Sequence, residues 1–182
     1  MIKPAKQGDH DSLCGYYAFQ NVMQLMNPKV VLDTSDFGHW IKIVDAAGHP
    51  VGIQDGLSRV GMLDLAKGAQ AKGPVKDRFA FETPWWGATP TLDAFWSRVR
   101  RHVEEGGHAI IGFFPDSWPA GHWSVVGEAS DATLHLHDSD GAHQVKRHLS
   151  RIGTRYATHA RRPWRLEPAS TFLFRRVDVP KG

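Results

Sequence analysis

The chain holds a single cysteine, Cys14, in 182 residues. That excludes an intramolecular disulfide and any multi-cysteine zinc site, and it suits a reducing compartment. Net charge is also scarce. With 22 Lys and Arg against 19 Asp and Glu the formal value is +3, too small an excess to mark a polyelectrolyte binder. Long apolar runs are missing: stretches such as Ala109-Ile110-Ile111-Gly112-Phe113-Phe114 fall far short of the ~20 residues that a membrane-spanning helix needs. The opening Met1-Ile2-Lys3-Pro4-Ala5-Lys6-Gln7 lacks the apolar core of a secretory signal. The expected location is therefore the cytoplasm, although a secretion route without such a signal would leave no trace here. Repeats, low-complexity tracts and linkers are absent too, so one domain over 1–182 is expected.

What is present is the composition of a globular protein, 41% hydrophobic and 23% charged, with enough length to bury a sizeable core. Basic residues gather at Arg98, Arg100 and Arg101, and again over Lys146, Arg147, Arg151, Arg155, Arg161, Arg162 and Arg165. Such clusters read either as a solvated basic face or as a surface for an acidic partner. No nucleic-acid-binding motif accompanies them, so neither nucleic acid nor a membrane is an expected partner.

The first half of the chain has helical periodicity. Tyr17, Phe19, Val22, Met23, Leu25 and Met26 predict a largely buried helix that ends at Asn27 before Pro28. Phe37, Trp40, Ile41 and Val44 predict a second, starting at Thr34 or Ser35 and stopping at Gly48. A third is expected from about Ser58 to Ala71 with Val60, Leu63 and Ala66 on its inner face. Arg78 to Glu82 alternates like a short strand, and Thr83 to Pro90 reads as a loop with two tryptophans, Trp85 and Trp86. Thr91 then caps a helix striped by Leu92, Phe95, Trp96, Val99 and Val103, closed by Gly106-Gly107.

Beyond that point the period becomes strand-like. Strands are expected at His108–Phe114, His122–Gly127, Thr133–Asp138 and Ser170–Val177, with an irregular basic stretch before the last. Helices first and consecutive strands later argue an α+β fold, with an N-terminal helix packed on an antiparallel sheet formed by the C-terminal half.

Cys14 stands where a polar loop gives way to the first helix. A free cysteine is commonly a small buried hydrophobe. At the amino end of a helix, however, its thiolate would meet the positive end of the macrodipole. A hairpin centred near Ser130 would set His122 directly across from Asp138, where facing Cβ atoms lie about 4.5–5.5 Å apart. The carboxylate would fix the imidazole tautomer and stabilise the imidazolium. Cys14 as nucleophile, His122 as base and Asp138 as orienter form a chemically sufficient set. The Cys14 backbone N–H and the Gln7 side-chain amide are candidate donors to an oxyanion.

Gly121, Trp118 and Trp123 flank or adjoin His122 and are candidates for lining a substrate groove. Packing in the core or loop is the other reading of the tryptophans. His135 and His137 sit next to Asp138, but strand alternation turns them to the opposite face, so no metal or other cofactor is expected.

Gln7 ahead of Cys14-Gly15, then Gly121-His122-Trp123-Ser124-Val125-Val126, then Leu136-His137-Asp138-Ser139 resemble the papain-like cysteine peptidases. Within that superfamily the sequence is most similar to the double-glycine leader peptidase domains of bacteriocin exporters and to the Josephin-type deubiquitinases. The resemblance spans Gln7 to Ser139, though its specific motifs are short. It implies a papain-like fold with Cys14 as nucleophile, His122 as base, Asp138 as orienter and Gln7 as oxyanion donor. It further implies hydrolysis of a peptide or isopeptide bond in a peptide or protein substrate, a ubiquitin-like conjugate among the candidates. Two other readings fit the same residues: a glutamine deamidase or acyl transferase, and a non-catalytic binding module.

Overall fold

The computed structural model describes residue 4 and residues 13–29, 32–49, 56–118, 120–153 and 159–177. Four helices are described: α1 (Cys14–Met26), α2 (Thr34–Ala46), α3 (Arg59–Ala71) and α4 (Leu92–Glu104). Seven strands accompany them: β1 (Phe79–Glu82), β2 (His108–Pro115), β3 (His122–Ala129), β4 (Thr133–His137), β5 (Gln144–Lys146), β6 (Ser150–Ile152) and β7 (Trp164–Arg176). The class is α+β. Among the described residues no helix is long and apolar enough to cross a membrane.

Local chemistry explains the helix limits. Asp33 accepts from the N–H groups of Ser35 and Asp36 while the Asp36 carboxylate takes the Asp33 N–H, a reciprocal cap that starts α2. Ser58 and Thr91 cap α3 and α4 through the N–H groups of Gly61 and Ala94. Gly106, at φ 85°, ends α4 in the left-handed region that a side chain disfavours. Leu13, the residue before α1, has no side-chain oxygen and forms no such cap.

The strands form one sheet in the order β1-β7-β2-β3-β4-β5, with β6 added alongside β7. Three expectations need correction here. The sheet is antiparallel except for β6, which runs parallel to β7. Its edge strand β1 comes from the first half of the chain. The basic stretch expected to be irregular contains β5, a 3₁₀ turn at Arg147–Leu149, β6 and the first half of β7.

Each face of the sheet buries its own core. On one side Phe19, Val22 and Met23 of α1 and Trp40 of α2 pack with Ile110, Trp123, Val125, Phe172 and Phe174. On the other, Phe95, Trp96 and Val99 of α4 pack with Ala109, Ile111, Phe113, Val126 and Leu173. The strands between are apolar on both faces, which is why β2 reads as a continuous hydrophobic run rather than an alternation.

The inner face of α3 also differs from expectation. Met62, Leu65, Ala66 and Ala69 are buried, whereas Val60 is exposed. Two stripes one residue apart compete on this helix, and close glycine contacts choose between them. A Cβ on Gly68 would lie 2.4 Å from Ile43 of α2, and one on Gly61 would lie 2.8 Å from Leu57. Those contacts let the neighbouring elements approach along that face.

The same principle seats α1. A Cβ on Gly15 would lie 2.6 Å from the Leu57 Cβ, an atom fixed to the backbone. We therefore expect Gly15→Ala to lower stability by about 1–3 kcal/mol, read from the urea midpoint of the full chain. An unchanged midpoint would show that the close contact of α1 with Leu57 does not constrain the fold.

Candidate active site

Cys14 is the first residue of α1 and is buried. The first N–H groups of a helix have no acceptor within it, and the macrodipole makes this end favourable for negative charge. His122 begins β3, next to β2, and pairs with Phe113. Although far from Cys14 in sequence, its imidazole lies close enough to that residue for the sulfur to help raise its pKa. Its Nε2–H donates to Asp138 Oδ2 at 2.7 Å, and both side chains are buried. Because Nε2 is engaged by the carboxylate, Nδ1 is the nitrogen left for the Cys14 proton.

The partnership of His122 with Asp138 is as expected, but the route to it is not. The β3–β4 turn is centred between Asp131 and Ala132 rather than at Ser130. The Ser130 N–H donates to Thr133 O at 2.8 Å, and Ser130 Oγ accepts from the Thr133 N–H at 3.0 Å. From the turn, Ala129 pairs with Leu134 and Glu128 with His135. Beyond an extra residue at Gly127, Val126 pairs with Leu136 and Val125 with His137.

Continued one step past the end of β4, this register sets Asp138 against Ser124, so His122 meets it diagonally. Diagonal neighbours lie about 7–8 Å apart, within reach of a long side chain. Without the bulge, the register at the turn would set Asp138 against Val125, on the face away from His122. A single extra residue therefore decides which side of the sheet receives the carboxylate.

Asp138 is also held from its own loop. Its Oδ1 accepts the N–H groups of Asp140 at 2.8 Å and Ala142 at 3.1 Å. Burial works to raise its pKa, but the hydrogen bond and charge of His122, with help from Ser124 and the Asp140 N–H, hold it below the ordinary 3.8. Burial alone would lower the His122 pKa. Hydrogen bonding and charge from Asp138 and Cys14 outweigh it and push the imidazole from 6.5 to about 9.

The loop that delivers His122 is clamped at its start. Asp116 accepts from Arg151 and from the His159 N–H, each at 2.9 Å, while its own N–H donates to Pro163 O at 2.9 Å. Trp118, further along, is 36% exposed and sets its ring edge-on to His122 at 5.3 Å between centroids. Gly121 has no room for a side chain, since a Cβ would come within 2.3 Å of the Phe114 ring. Trp123 is buried; it packs on Phe172 and donates its indole N–H to Leu57 O at 2.8 Å. Trp85 stacks on Phe95, and the Arg59 guanidinium lies over Trp86.

Gln7 lies outside the described residues. The structure brings Cys14, His122 and Asp138 together, with the Trp118 ring against the histidine. Trp123, expected beside a substrate groove, instead turns its ring into the core on the other face of the sheet, because neighbouring strand residues alternate faces. Ser124, Asp140 and Ala142 were not singled out by sequence. The Asp-Ser-Asp-Gly run at 138–141 carries a turn signal that foreshadows the bonds from the Asp140 and Ala142 N–H groups. Ser124 could be found only once the strand register was known. No protein-family profile, curated protein or solved structure matches the chain.

A thiol and a buried imidazole–carboxylate pair beside a helix amino end can perform nucleophilic chemistry through a thiolate and an imidazolium. The two pKa shifts define the range of the pair. Asp138, depressed on folding, adds stability above about pH 3.8 that is lost as pH falls through its folded value; His122, raised, adds stability below about pH 6.5 that is lost as pH rises through about 9. In NMR titration the His122 ring should therefore hold its proton to about pH 9. Asp138→Asn should move that midpoint down towards the ordinary value. An Asn variant that still titrates near 9 would show that the carboxylate does not set the histidine's charge.

Proposed function

We propose that the protein is a papain-like cysteine hydrolase cleaving a peptide or isopeptide bond through an acyl-enzyme. The observation that carries this reading is the buried His122 Nε2–Asp138 Oδ2 bond of 2.7 Å, on an imidazole close enough to Cys14 for the sulfur to help raise its pKa. The motifs around Cys14, His122 and Asp138 that resemble the papain-like peptidases support it as well.

The chemistry follows from the arrangement. With the proton held on His122, Cys14 attacks the substrate carbonyl carbon as the thiolate. The developing oxyanion is met at the amino end of α1, with the Cys14 N–H as one donor and Gln7 proposed as a second. As the tetrahedral intermediate collapses, the C–N bond breaks and the imidazolium gives its proton to the departing amine, leaving a thioester on Cys14. A water molecule then attacks that thioester, losing a proton to His122. Collapse breaks the C–S bond, releases the carboxylic acid and restores the thiolate beside the imidazolium. Throughout, Asp138 keeps the ring oriented and balances its positive charge. Trp118, beside His122, is the proposed contact for substrate entering from solvent.

The decisive experiment is alkylation of the full chain by iodoacetamide at pH 6. A free thiol of pKa ~8.5 is under one per cent thiolate there, so an activated Cys14 should react at least about tenfold faster. Cys14→Ala should abolish labelling, and Asp138→Asn should slow it at least about tenfold. Labelling at the rate of free cysteine would overturn the reading. Mass spectrometry of products from peptide and ubiquitin-like probes separates hydrolysis from glutamine deamidation or acyl transfer.

A further inference from the structure

We propose that Ser124 is a positioning residue whose hydroxyl donates to Asp138 Oδ2, completing the set of donors that holds the orienting carboxylate. The proposal rests on the cysteine-hydrolase reading and deepens it.

An ionised carboxylate offers about four lone-pair sites. Both sites on Asp138 Oδ1 are taken by the N–H groups of Asp140 and Ala142, and one on Oδ2 is taken by His122. One remains, in a setting where an unsatisfied charged acceptor is costly. Ser124 shows the complementary deficit. It is 1% exposed, and its Oγ is buried without a hydrogen bond of full geometry.

The two deficits face each other. Continued one step past the last pair, Val125 with His137, the β3–β4 register carries Asp138 opposite Ser124. Across β2 the facing residue is Ile111, whose side chain has no polar atom. The Asp138 carboxylate is thus the acceptor towards which a rotating hydroxyl turns, and a donor from Ser124 acts in the direction that lowers the Asp138 pKa. With only His122 on Oδ2, the carboxylate could swing about its loop bonds. A second donor on the same oxygen fixes the plane against which the imidazole is aligned.

Alanine at 124 gives opposite signs for the two possible roles of the hydroxyl. If it binds Asp138, Ser124→Ala removes a charge-assisted hydrogen bond. The full chain should then unfold at a lower temperature at pH 7, and Cys14 alkylation at pH 6 should slow about three- to tenfold. Ser124→Thr, which keeps a hydroxyl, should recover the rate to within about twofold. In an Asp138→Ala background the same Ser124→Ala change should no longer destabilise.

If the hydroxyl only packs, Ser124→Ala removes a buried group without a partner, raises the unfolding temperature and leaves alkylation unchanged. That result, with wild-type Cys14 still reacting faster than a free thiol, overturns the role of Ser124 and spares the hydrolase reading. Wild-type labelling at the rate of free cysteine, unmoved by Asp138→Asn, overturns both.

Discussion

A charge taken out of water must find partners of matching geometry, and this is the constraint on which the end of the sheet is built. Burying a lone carboxylate or imidazolium costs several kcal/mol, and mutual attraction offsets that only when the remaining lone pairs are also filled. Asp138 meets the condition with His122 on one oxygen and two backbone N–H groups on the other. His122 in turn stays protonated to about pH 9 in a place where burial by itself would strip its proton. The bulge at Gly127, the turn after Asp138 and the Asp116–Arg151 clamp all hold this pair in register.

The two-sided sheet brings the thiol to that pair. α1 lies over one face and α4 over the other, so β2 and β3 are fixed from both sides. The amino end of α1 then falls beside the start of β3, where His122 stands. Gly15 and Leu57 set how closely α1 can approach, and Trp123 ties the same Leu57 to β3 through its indole N–H. Cys14 and His122 thus share a support, residue 57, that belongs to neither of their elements.

Much of this was legible in the residues. The apolar spacing placed the helices within a residue or two, and for α4 the cap at Thr91 and the glycine stop at Gly106 were read directly, because capping is a local hydrogen-bond problem. Short strands were less visible. β5 and β6 have three residues each, too few for an alternation to register, and they gain order only by pairing with β4 and β7. The first half of β7 was hidden by Pro168, which sits at a register shift opposite Ile111 and Gly112. On α3 the apolar residues allow two faces, and packing against Leu57 and Ile43 chooses one.

At the candidate site the residues alone named the groups on hand: a lone cysteine at the start of a helix, a histidine at a strand start, and an aspartate two strand positions beyond another inward residue. Period-two alternation along β4 placed His135 and His137 on the face away from Asp138 without reference to any other strand. What tertiary structure alone decided was how these local pieces align. The hairpin tip predicted a direct pairing of His122 with Asp138, whereas the turn at Asp131-Ala132 and the bulge at Gly127 give a diagonal one on the same face. Alternation is a property of a single strand, fixed by backbone geometry. Register is a property of the whole sheet, settled by which pairing buries both apolar faces and satisfies the polar groups between them.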